Sequence, residues 1–175
     1  APAAASVAER VLAEIDPAPG TVVSVYLAFR DELDTLPLLG ALHARGCVTC
    51  APVVGRIGEP LTFRRWWPGV ELEIERFGTA RPAATAGEVV PGVLIVPMLA
   101  FDRAGTRMGY GAGFYDRTLA RLRAAGGAFA VGTAFAAQEV EALPAGAHDQ
   151  PLDRIVTENE SFVPAVSPGE AGSVA

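Results

Sequence analysis

The chain has 175 residues, of which 50% are hydrophobic and 19% charged, and its formal net charge is −6. This length and composition fit one folded domain that buries about 70% of the surface of its unfolded chain. The negative charge argues against nucleic acid as a partner, because nucleic-acid binding neutralises many phosphates with basic side chains. No segment has the pattern of a secretion signal or a membrane-spanning helix, so we expect a cytoplasmic protein without a membrane partner.

The first third of the chain predicts a helix followed by a β-α-β unit. Residues 5–15 carry apolar side chains at helical spacing and end at a proline-rich cluster. Residues 21–29 and 48–54 are rich in β-branched and apolar side chains and predict two buried strands. Asp34 or Thr35 can cap a helix between these strands, which completes the unit.

The remainder predicts an irregular excursion and then a return to alternating elements. Residues 55–91 contain many glycines and prolines, with short candidate strands at 61–67 and 71–75. The later elements are a strand over 93–97, a glycine-rich loop over 101–113, a helix over 114–125, and strands over 129–134 and 153–156. We therefore predict a single-domain α/β fold, with a mostly parallel sheet flanked by helices on both faces. Residues 1–160 are assigned to this domain, and residues 161–175 to a loose tail.

Two cysteines form an isolated C-x-x-C motif. Cys47 and Cys50 lie at the second predicted strand, and the chain has no further cysteine to complete a zinc site. We expect buried free thiols instead of a metal or redox centre, which is consistent with a reducing compartment.

The loop over residues 101–113 has the features of a phosphate-binding segment. Gly109, Gly111 and Gly113 allow the backbone to approach a ligand closely, and the next helix begins with unpaired N–H groups. Such a helix start carries a partial positive charge, and Arg107 adds a guanidinium that can grip two phosphate oxygens. All 14 basic residues are arginine, so the loop is no Walker motif, which needs lysine.

The glycines alone would also suit a flexible surface loop. Two further features favour a ligand site. Tyr110, Phe114 and Tyr115 place flat rings among the glycines, and Asp116 places a carboxylate in the first turn of the helix.

These residues resemble the signature of the 5-formyltetrahydrofolate cyclo-ligase family. The resemblance rests on residues 96–102 together with Gly105, Arg107, Gly109, Gly111, Gly113, Tyr115 and Asp116. Further blocks extend it over residues 21–158: residues 25–27, 31–34, 63–66, 131–132, 138, 148–149 and 152–158. The family's architecture is shared with sugar-phosphate isomerases and CoA-transferases.

The resemblance implies a monomeric enzyme that uses ATP and Mg²⁺ and acts on 5-formyltetrahydrofolate, which can be polyglutamylated. ATP phosphorylates the formyl oxygen, the N10 nitrogen attacks the activated carbon, and phosphate departs to leave 5,10-methenyltetrahydrofolate. This chemistry needs positioning and charge stabilisation and no protein nucleophile.

The resemblance also implies roles for particular residues. Catalytic roles fall to Arg107 and Tyr115, and magnesium binding falls to Asp116 and Asp149. The ATP segment is Arg107, Met108, Gly109, Tyr110, Gly111, Ala112, Gly113, Phe114 and Tyr115. The folate positions are Leu27 and Glu32, together with Tyr110, Gly111, Ala112, Gly113 and Phe114. Trp66, beside two arginines and a second tryptophan, is a candidate for holding the substrate's glutamate tail.

Plainer roles stay open for several of these side chains. Glu32 could be a turn residue, Asp116 could serve only the helix dipole, and Asp149 could start a turn before Pro151. The tryptophan segment could be an exposed hairpin with one buried ring.

The chain departs from the family pattern in two ways. Family members begin with a basic helix that reaches the ATP phosphates, and we expect it in a leader upstream of Ala1. Phe114 stands where tyrosine is common, which removes one hydroxyl. Two rival hypotheses stay open: a non-catalytic folate- or nucleotide-binding relative without that helix, and an isomerase- or transferase-like protein of the same architecture.

Overall fold

The computed structural model describes residues 2–74 and 79–165. These residues contain three α-helices: α1 (Pro2–Ile15), α2 (Leu36–Ala44) and α3 (Phe114–Ala124). The strands of the first half are β1 (Val22–Ser24), β2 (Val48–Val53), β3 (Thr62–Arg65), β4 (Leu72–Ile74) and β5 (Ala80–Pro82). Those of the second half are β6 (Val93–Pro97), β7 (Ala100–Phe101), β8 (Arg107–Met108), β9 (Phe129–Thr133), β10 (Arg154–Val156) and β11 (Ser161–Phe162).

A central sheet carries the fold, with seven described strands in the order β11-β10-β9-β6-β1-β2-β3. The strands from β10 to β2 run parallel to their neighbours. The two edge strands, β3 and β11, are antiparallel to theirs. Two small antiparallel hairpins, β4–β5 and β7–β8, lie outside this sheet. The predicted mostly parallel α/β fold is confirmed.

The helices cover both faces of the sheet, as predicted. One core cluster joins α1 and α2 to the sheet through residues such as Val11, Leu39 and Ile95. The other cluster joins α3 to the opposite face through Leu119 and Leu94. Neighbouring strand residues alternate between the two clusters because side chains of a strand point to opposite faces. Most hydrophobic stabilisation therefore comes from strands that are buried on both sides.

Helix α2 begins where two predicted caps compete. The Oδ1 atom of Asp34 accepts a hydrogen bond from the Leu36 amide at 3.0 Å. The Thr35 hydroxyl instead donates to the Tyr26 carbonyl at 2.5 Å, which ties the helix start to the preceding loop. Thr35 is therefore the N-cap residue without capping the helix through its side chain, and Asp34 satisfies the first helical amide from one residue earlier.

Three predicted boundaries were wrong. The strand predicted over 21–29 is limited to β1, Val22–Ser24. After it, the Tyr26 carbonyl accepts a hydrogen bond from the Thr35 hydroxyl instead of continuing the hydrogen bonds between strands. The loop over 101–113 contains the β7–β8 hairpin. The tail does not begin loose at residue 161, because β11 pairs with β10 and Pro164 is buried. Residues 166–175 lie outside the described part, so the rest of the tail stays a prediction.

The thiols of the C-x-x-C motif are free and buried, as predicted. Burial raises the pKa of the Cys50 thiol to about 12, so this cysteine is an inert core residue. No helix within residues 2–74 and 79–165 is long and apolar enough to cross a membrane.

Candidate active site

The site lies at the carboxyl edge of the sheet, between β1 and β6. These strands are parallel neighbours, and the chain leaves β1 toward β2 on one side and β6 toward β9 on the other. Ligands of open α/β sheets bind at such a reversal of strand order. The loops that follow β1 and β6 carry Glu32 and the glycine segment, so the fold brings the two predicted loops to one edge.

The glycine loop, residues 109–113, connects β8 to α3. Gly111 has φ +85° and Gly113 has φ +64°, a left-handed conformation that other residues rarely adopt. Gly113 is the N-cap of α3, and the first amides of a helix lack partners within the helix. A Cβ atom at Gly109 or Gly111 would meet no atom within 4 Å. The loop thus offers backbone amides in open space, which fits the predicted phosphate site.

Arg107 and Asp116 form an ion pair beside the glycine loop. Their side chains are 8% and 25% exposed, and Nη2 of Arg107 contacts Oδ1 of Asp116. Nη1 of Arg107 donates to the Gln150 carbonyl at 2.5 Å, and the Gln150 amide donates to Asp116 Oδ1 at 2.9 Å. Two donors of the guanidinium are therefore already engaged, and the charge of Asp116 is balanced.

Asp149 lies close by in an exposed turn. Its Oδ2 atom accepts from the Gly146 amide at 2.8 Å, so Asp149 ends a turn over residues 146–149 and does not start the turn before Pro151 that the sequence suggested. Asp116 and Asp149 nevertheless line the same cavity. Among the residues that the structure describes, no three His, Cys, Asp or Glu side chains form a metal-binding group. A metal at these carboxylates would therefore need additional oxygens from its ligand.

Two cavities at this edge bring predicted site residues together. The cavity over the glycine loop has a volume of about 610 Å³, and the smaller one has a volume of about 440 Å³. The cavity over the glycine loop is lined by residues 107–116 and Asp149, and by an apolar wall of Pro52, Val54, Leu61, Pro97 and Pro144. Sites for small molecules typically measure roughly 300–1,000 Å³.

The smaller cavity lies between the loop after β1 and the segment after β3. Its walls are mainly apolar and include Leu27, Leu39, Trp66 and Trp67. Trp66 is 4% exposed and Trp67 is 39% exposed, so one tryptophan packs in the core and the other forms part of the rim. Two predicted folate positions, Leu27 and Trp66, thus meet in one cavity.

Glu32 and Tyr110 bring the two loops close together. Oε2 of Glu32 accepts from the Phe29 amide at 2.9 Å. Tyr110 of the glycine loop lies close enough to Glu32 to lower the pKa of its carboxyl group. Burial raises the pKa of Glu32 above its ordinary value, outweighing the hydrogen bonds that lower it. The carboxylate is thus partly desolvated and strongly disposed to accept hydrogen bonds from a ligand.

Tyr115 is the innermost ring of the predicted ATP segment. Burial raises its pKa well above the ordinary range, and the nearby Tyr26 and Glu32 raise it further. The phenol therefore stays protonated at neutral pH. It can donate a hydrogen bond but cannot act as a base, which narrows its predicted catalytic role.

Gln150 was missed from the sequence. It acts through its backbone N–H and carbonyl, so its side-chain type carries no signal. The available clue was position, because Gln150 directly follows Asp149 in one of the blocks near the carboxyl edge.

Comparisons with known proteins identify the family of this chain. The 5-formyltetrahydrofolate cyclo-ligase family model matches residues 1–158. The 5-formyltetrahydrofolate cyclo-ligase of Escherichia coli K12 is 39% identical over 140 residues, covering 77% of this chain and 76% of that protein. The Haemophilus influenzae protein of the same name is 32% identical over 152 residues, covering 84% and 81%.

Solved structures give the same result. The NMR structure of Aquifex aeolicus 5,10-methenyltetrahydrofolate synthetase aligns with a TM-score of 0.69 at 28% identity, covering 95% of this chain and 84% of that one. The Mycoplasma pneumoniae synthetase has a TM-score of 0.69 at 19% identity, covering 89% and 85%, and shows the shared fold. The chain therefore belongs to the 5-formyltetrahydrofolate cyclo-ligase family and is an enzyme of the ligase class.

Proposed function

We propose that this enzyme converts 5-formyltetrahydrofolate to 5,10-methenyltetrahydrofolate and consumes ATP in the presence of Mg²⁺. The γ-phosphoryl group moves from ATP to the formyl oxygen, and ADP is released. N10 then attacks the formyl carbon, and the C–O bond breaks to release phosphate. The observation that carries the proposal is the cavity over the glycine loop, which Arg107, Asp116 and Asp149 line together with residues 109–113.

The glycine loop is the proposed site of the ATP phosphates. Left-handed Gly111 and Gly113 turn the chain into α3, where free amides and the helix dipole favour an anion. Arg107 adds positive charge at the same edge of the cavity. Because two of its donors are held by Asp116 and Gln150, we expect Arg107 to act mainly through a fixed charge.

Asp116 and Asp149 are the proposed magnesium ligands. Mg²⁺ is commonly bound in proteins by one or two carboxylates together with substrate phosphates and water. The two aspartates would supply the carboxylates of that donor set, and a nucleotide held by the adjacent glycine loop would supply the phosphate oxygens. Bound there, the ion would neutralise charge on the phosphate oxygens during phosphoryl transfer.

The smaller cavity and Glu32 are the proposed folate site. Glu32 can accept hydrogen bonds from the amino and ring N–H groups of the pterin, and its partial desolvation strengthens them. Leu27 and Trp66 supply apolar contact area for the rest of the molecule. For binding a polyglutamate tail, Arg65 is a better candidate than Arg64. Nη1 of Arg64 already donates to the Pro82 carbonyl at 3.0 Å and lies 3.5 Å from Oε2 of Glu73.

The proposed mechanism assigns orientation to the protein and covalent change to the substrates. Tyr115, protonated at neutral pH, is a candidate donor toward the transferred group. Glu32 would hold the pterin while the glycine loop aligns the γ-phosphoryl group with the formyl oxygen. The proposal extends to a monomer working in the cytoplasm, where the two free thiols would remain reduced.

The decisive experiment follows the methenyl chromophore after mixing full-length protein, ATP, Mg²⁺ and 5-formyltetrahydrofolate. We expect one ADP for each methenyl product, and no product when ATP, Mg²⁺ or protein is omitted. Binding of ATP or folate without any chromophore would contradict the proposal and identify a non-catalytic relative.

A further inference from the structure

Asp102 is a buried carboxylate next to the site with no role so far. It directly follows β7 and is 3% exposed. Its Oδ1 atom accepts a hydrogen bond from the Thr106 amide at 2.9 Å, and its Oδ2 atom accepts from the Leu143 amide at 2.9 Å. Charged side chains are rarely buried so fully, and these two bonds offset its loss of hydration.

The two amides belong to segments that are distant in sequence. Thr106 lies in the turn of the β7–β8 hairpin, one residue before Arg107. Leu143 lies in the segment 140–150, which has no helix or strand and carries the turn of Asp149. The Val140 amide also donates to the Phe101 carbonyl at 2.9 Å, so this end of the segment is fixed against the hairpin.

The other end of the segment is fixed to the same hairpin. There the backbone of Gln150 binds both Arg107 and Asp116. Segment 140–150 is therefore held at both ends by the hairpin, with Asp149 between the two attachments. Without repetitive secondary structure, its position depends on these few bonds.

We propose that Asp102 is a positioning residue that holds segment 140–150 against the β7–β8 hairpin and so places Asp149 and Gln150 beside Asp116. The part of this proposal that concerns metal and nucleotide rests on the proposed function. A carboxylate is required because both of its oxygens must accept from an N–H group. An amide would turn one acceptor into a donor facing a donor.

The first test is Asp102→Asn, with two readouts. Amide hydrogen exchange of residues 143–150 in the ligand-free protein should become roughly tenfold faster, because one bond to the segment is lost. The KM for ATP at fixed Mg²⁺ should rise roughly tenfold, while the KM for 5-formyltetrahydrofolate changes less than about twofold. A purely structural role would not raise the KM for ATP while leaving the KM for 5-formyltetrahydrofolate nearly unchanged.

Glu158→Gln is the control. The Oε2 atom of Glu158 also accepts from a backbone amide, that of Ala136 at 2.8 Å, and the Glu158 carbonyl accepts from Ser6 and Arg10 of α1, so its hydrogen bonds lead away from segment 140–150. This variant should leave the KM for ATP and the exchange of residues 143–150 unchanged. Equal effects of the two variants, or unchanged exchange in Asp102→Asn, would overturn the proposal.

A second variant covers the case in which Asp102→Asn fails to fold. Leu143→Pro removes the amide that donates to Asp102 and leaves the buried carboxylate and its bond to Thr106 in place. Residue 143 precedes Pro144 and is already restricted toward extended conformations, which proline accepts. Leu143→Pro should reproduce the faster exchange of the segment and the raised KM for ATP. Exchange and a KM for ATP equal to those of the wild type would overturn the proposal.

The exchange readout separates the two proposals. If the wild-type protein makes no methenyl product, the proposed function fails, yet exchange still reports whether Asp102 holds the segment. If product forms and exchange in Asp102→Asn is normal, the function stands and the role of Asp102 is wrong.

Discussion

The two cavities at the carboxyl edge differ in what forms their walls. The cavity over the glycine loop offers backbone amides, Arg107 and two aspartates. The smaller cavity offers mainly the side chains of leucine and tryptophan. The first therefore depends on the conformation of the main chain and on charge, whereas the second depends on the shape and apolar area of side chains. Substitutions in the two cavities should consequently change different kinetic parameters.

The largest effect is expected at the charged end of the first cavity. Asp116→Asn removes the partner of a guanidinium that is only 8% exposed, together with a proposed magnesium ligand. Breaking a buried ion pair on one side costs about 3–5 kcal/mol, and loss of charge stabilisation lowers kcat. We expect turnover to fall by roughly 100-fold or more, measured by the chromophore assay across a magnesium titration. Unchanged rates at every magnesium concentration would remove Asp116 from the site.

Asp149→Asn is the informative partner of that variant. Asp149 is exposed and its side chain bonds to the Gly146 amide of its own turn, so the substitution should leave the melting temperature nearly unchanged. It should still raise the magnesium concentration needed for half-maximal rate. A loss of stability equal to that of Asp116→Asn would show that the two carboxylates do not differ as the structure indicates.

The next effect tests the main-chain character of the first cavity. Gly109→Ala and Gly111→Ala both place a methyl group in open space, but only Gly111 has a positive φ, +85°. We expect both variants to raise the KM for ATP roughly tenfold, because the phosphates must approach the backbone closely. Only Gly111→Ala should also lose about 1–2 kcal/mol of stability.

Thermal unfolding and nucleotide titration of the two variants separate these contributions. If Gly109→Ala binds ATP normally, its glycine is not needed for ligand approach. The first cavity would then depend on the turn at Gly111 and Gly113 alone.

The sequence predicted the parts of this molecule that depend on local signals. The pairing of β1 with β2 and the beginning of α3 at Gly113 follow from short-range periodicity and capping. The two-residue strands β7, β8 and β11 could not be predicted, because two residues are too few to show the alternation of side chains that marks a strand. β11, for example, is held by β10 and by the ring contact between Phe162 and Phe101, whose centroids are 6.3 Å apart.

The candidate site shows the same division. The glycine loop and Asp116 are recognisable from residue type and spacing. The engagement of Arg107 is not, because its partner at Gln150 is a carbonyl that any residue would supply. Nor does residue type show that Glu32 and Tyr110, 78 residues apart in the chain, lie close together in the fold.

The proximity of Glu32 and Tyr110 between the two cavities gives the next prediction. Glu32→Gln keeps an acceptor for the Phe29 amide but removes the charge that would accept hydrogen bonds from the pterin. We expect the KM for 5-formyltetrahydrofolate to rise roughly tenfold with the KM for ATP nearly unchanged. A rise in the KM for ATP alone would assign Glu32 to the first cavity instead.

The same variant has a second signature in its stability. Because folding raises the pKa of Glu32, the folded protein holds the proton more tightly than the unfolded chain, whose pKa is 4.5. The contribution of Glu32 to stability is therefore greatest below pH 4.5 and falls as the pH rises through the folded-state pKa. The melting temperature of Glu32→Gln relative to wild type should be higher at about pH 8 than at about pH 4. A constant difference would show that Glu32 is not desolvated.

The smallest effect is expected at the rim of the apolar cavity. Trp67 is 39% exposed, so Trp67→Ala should change stability little, while the cavity loses apolar contact area for the folate. We expect the KM for 5-formyltetrahydrofolate to rise about threefold to tenfold with an unchanged KM for ATP. Ile57→Ala is the control, because Ile57 is 90% exposed and lines neither cavity.

Trp66→Ala would be a poor substitute, since truncating a tryptophan that is 4% exposed costs about 3–5 kcal/mol and mixes unfolding with binding. If Trp67→Ala instead raises the KM for ATP, the two cavities do not divide the substrates, and the nucleotide extends across the Glu32–Tyr110 contact.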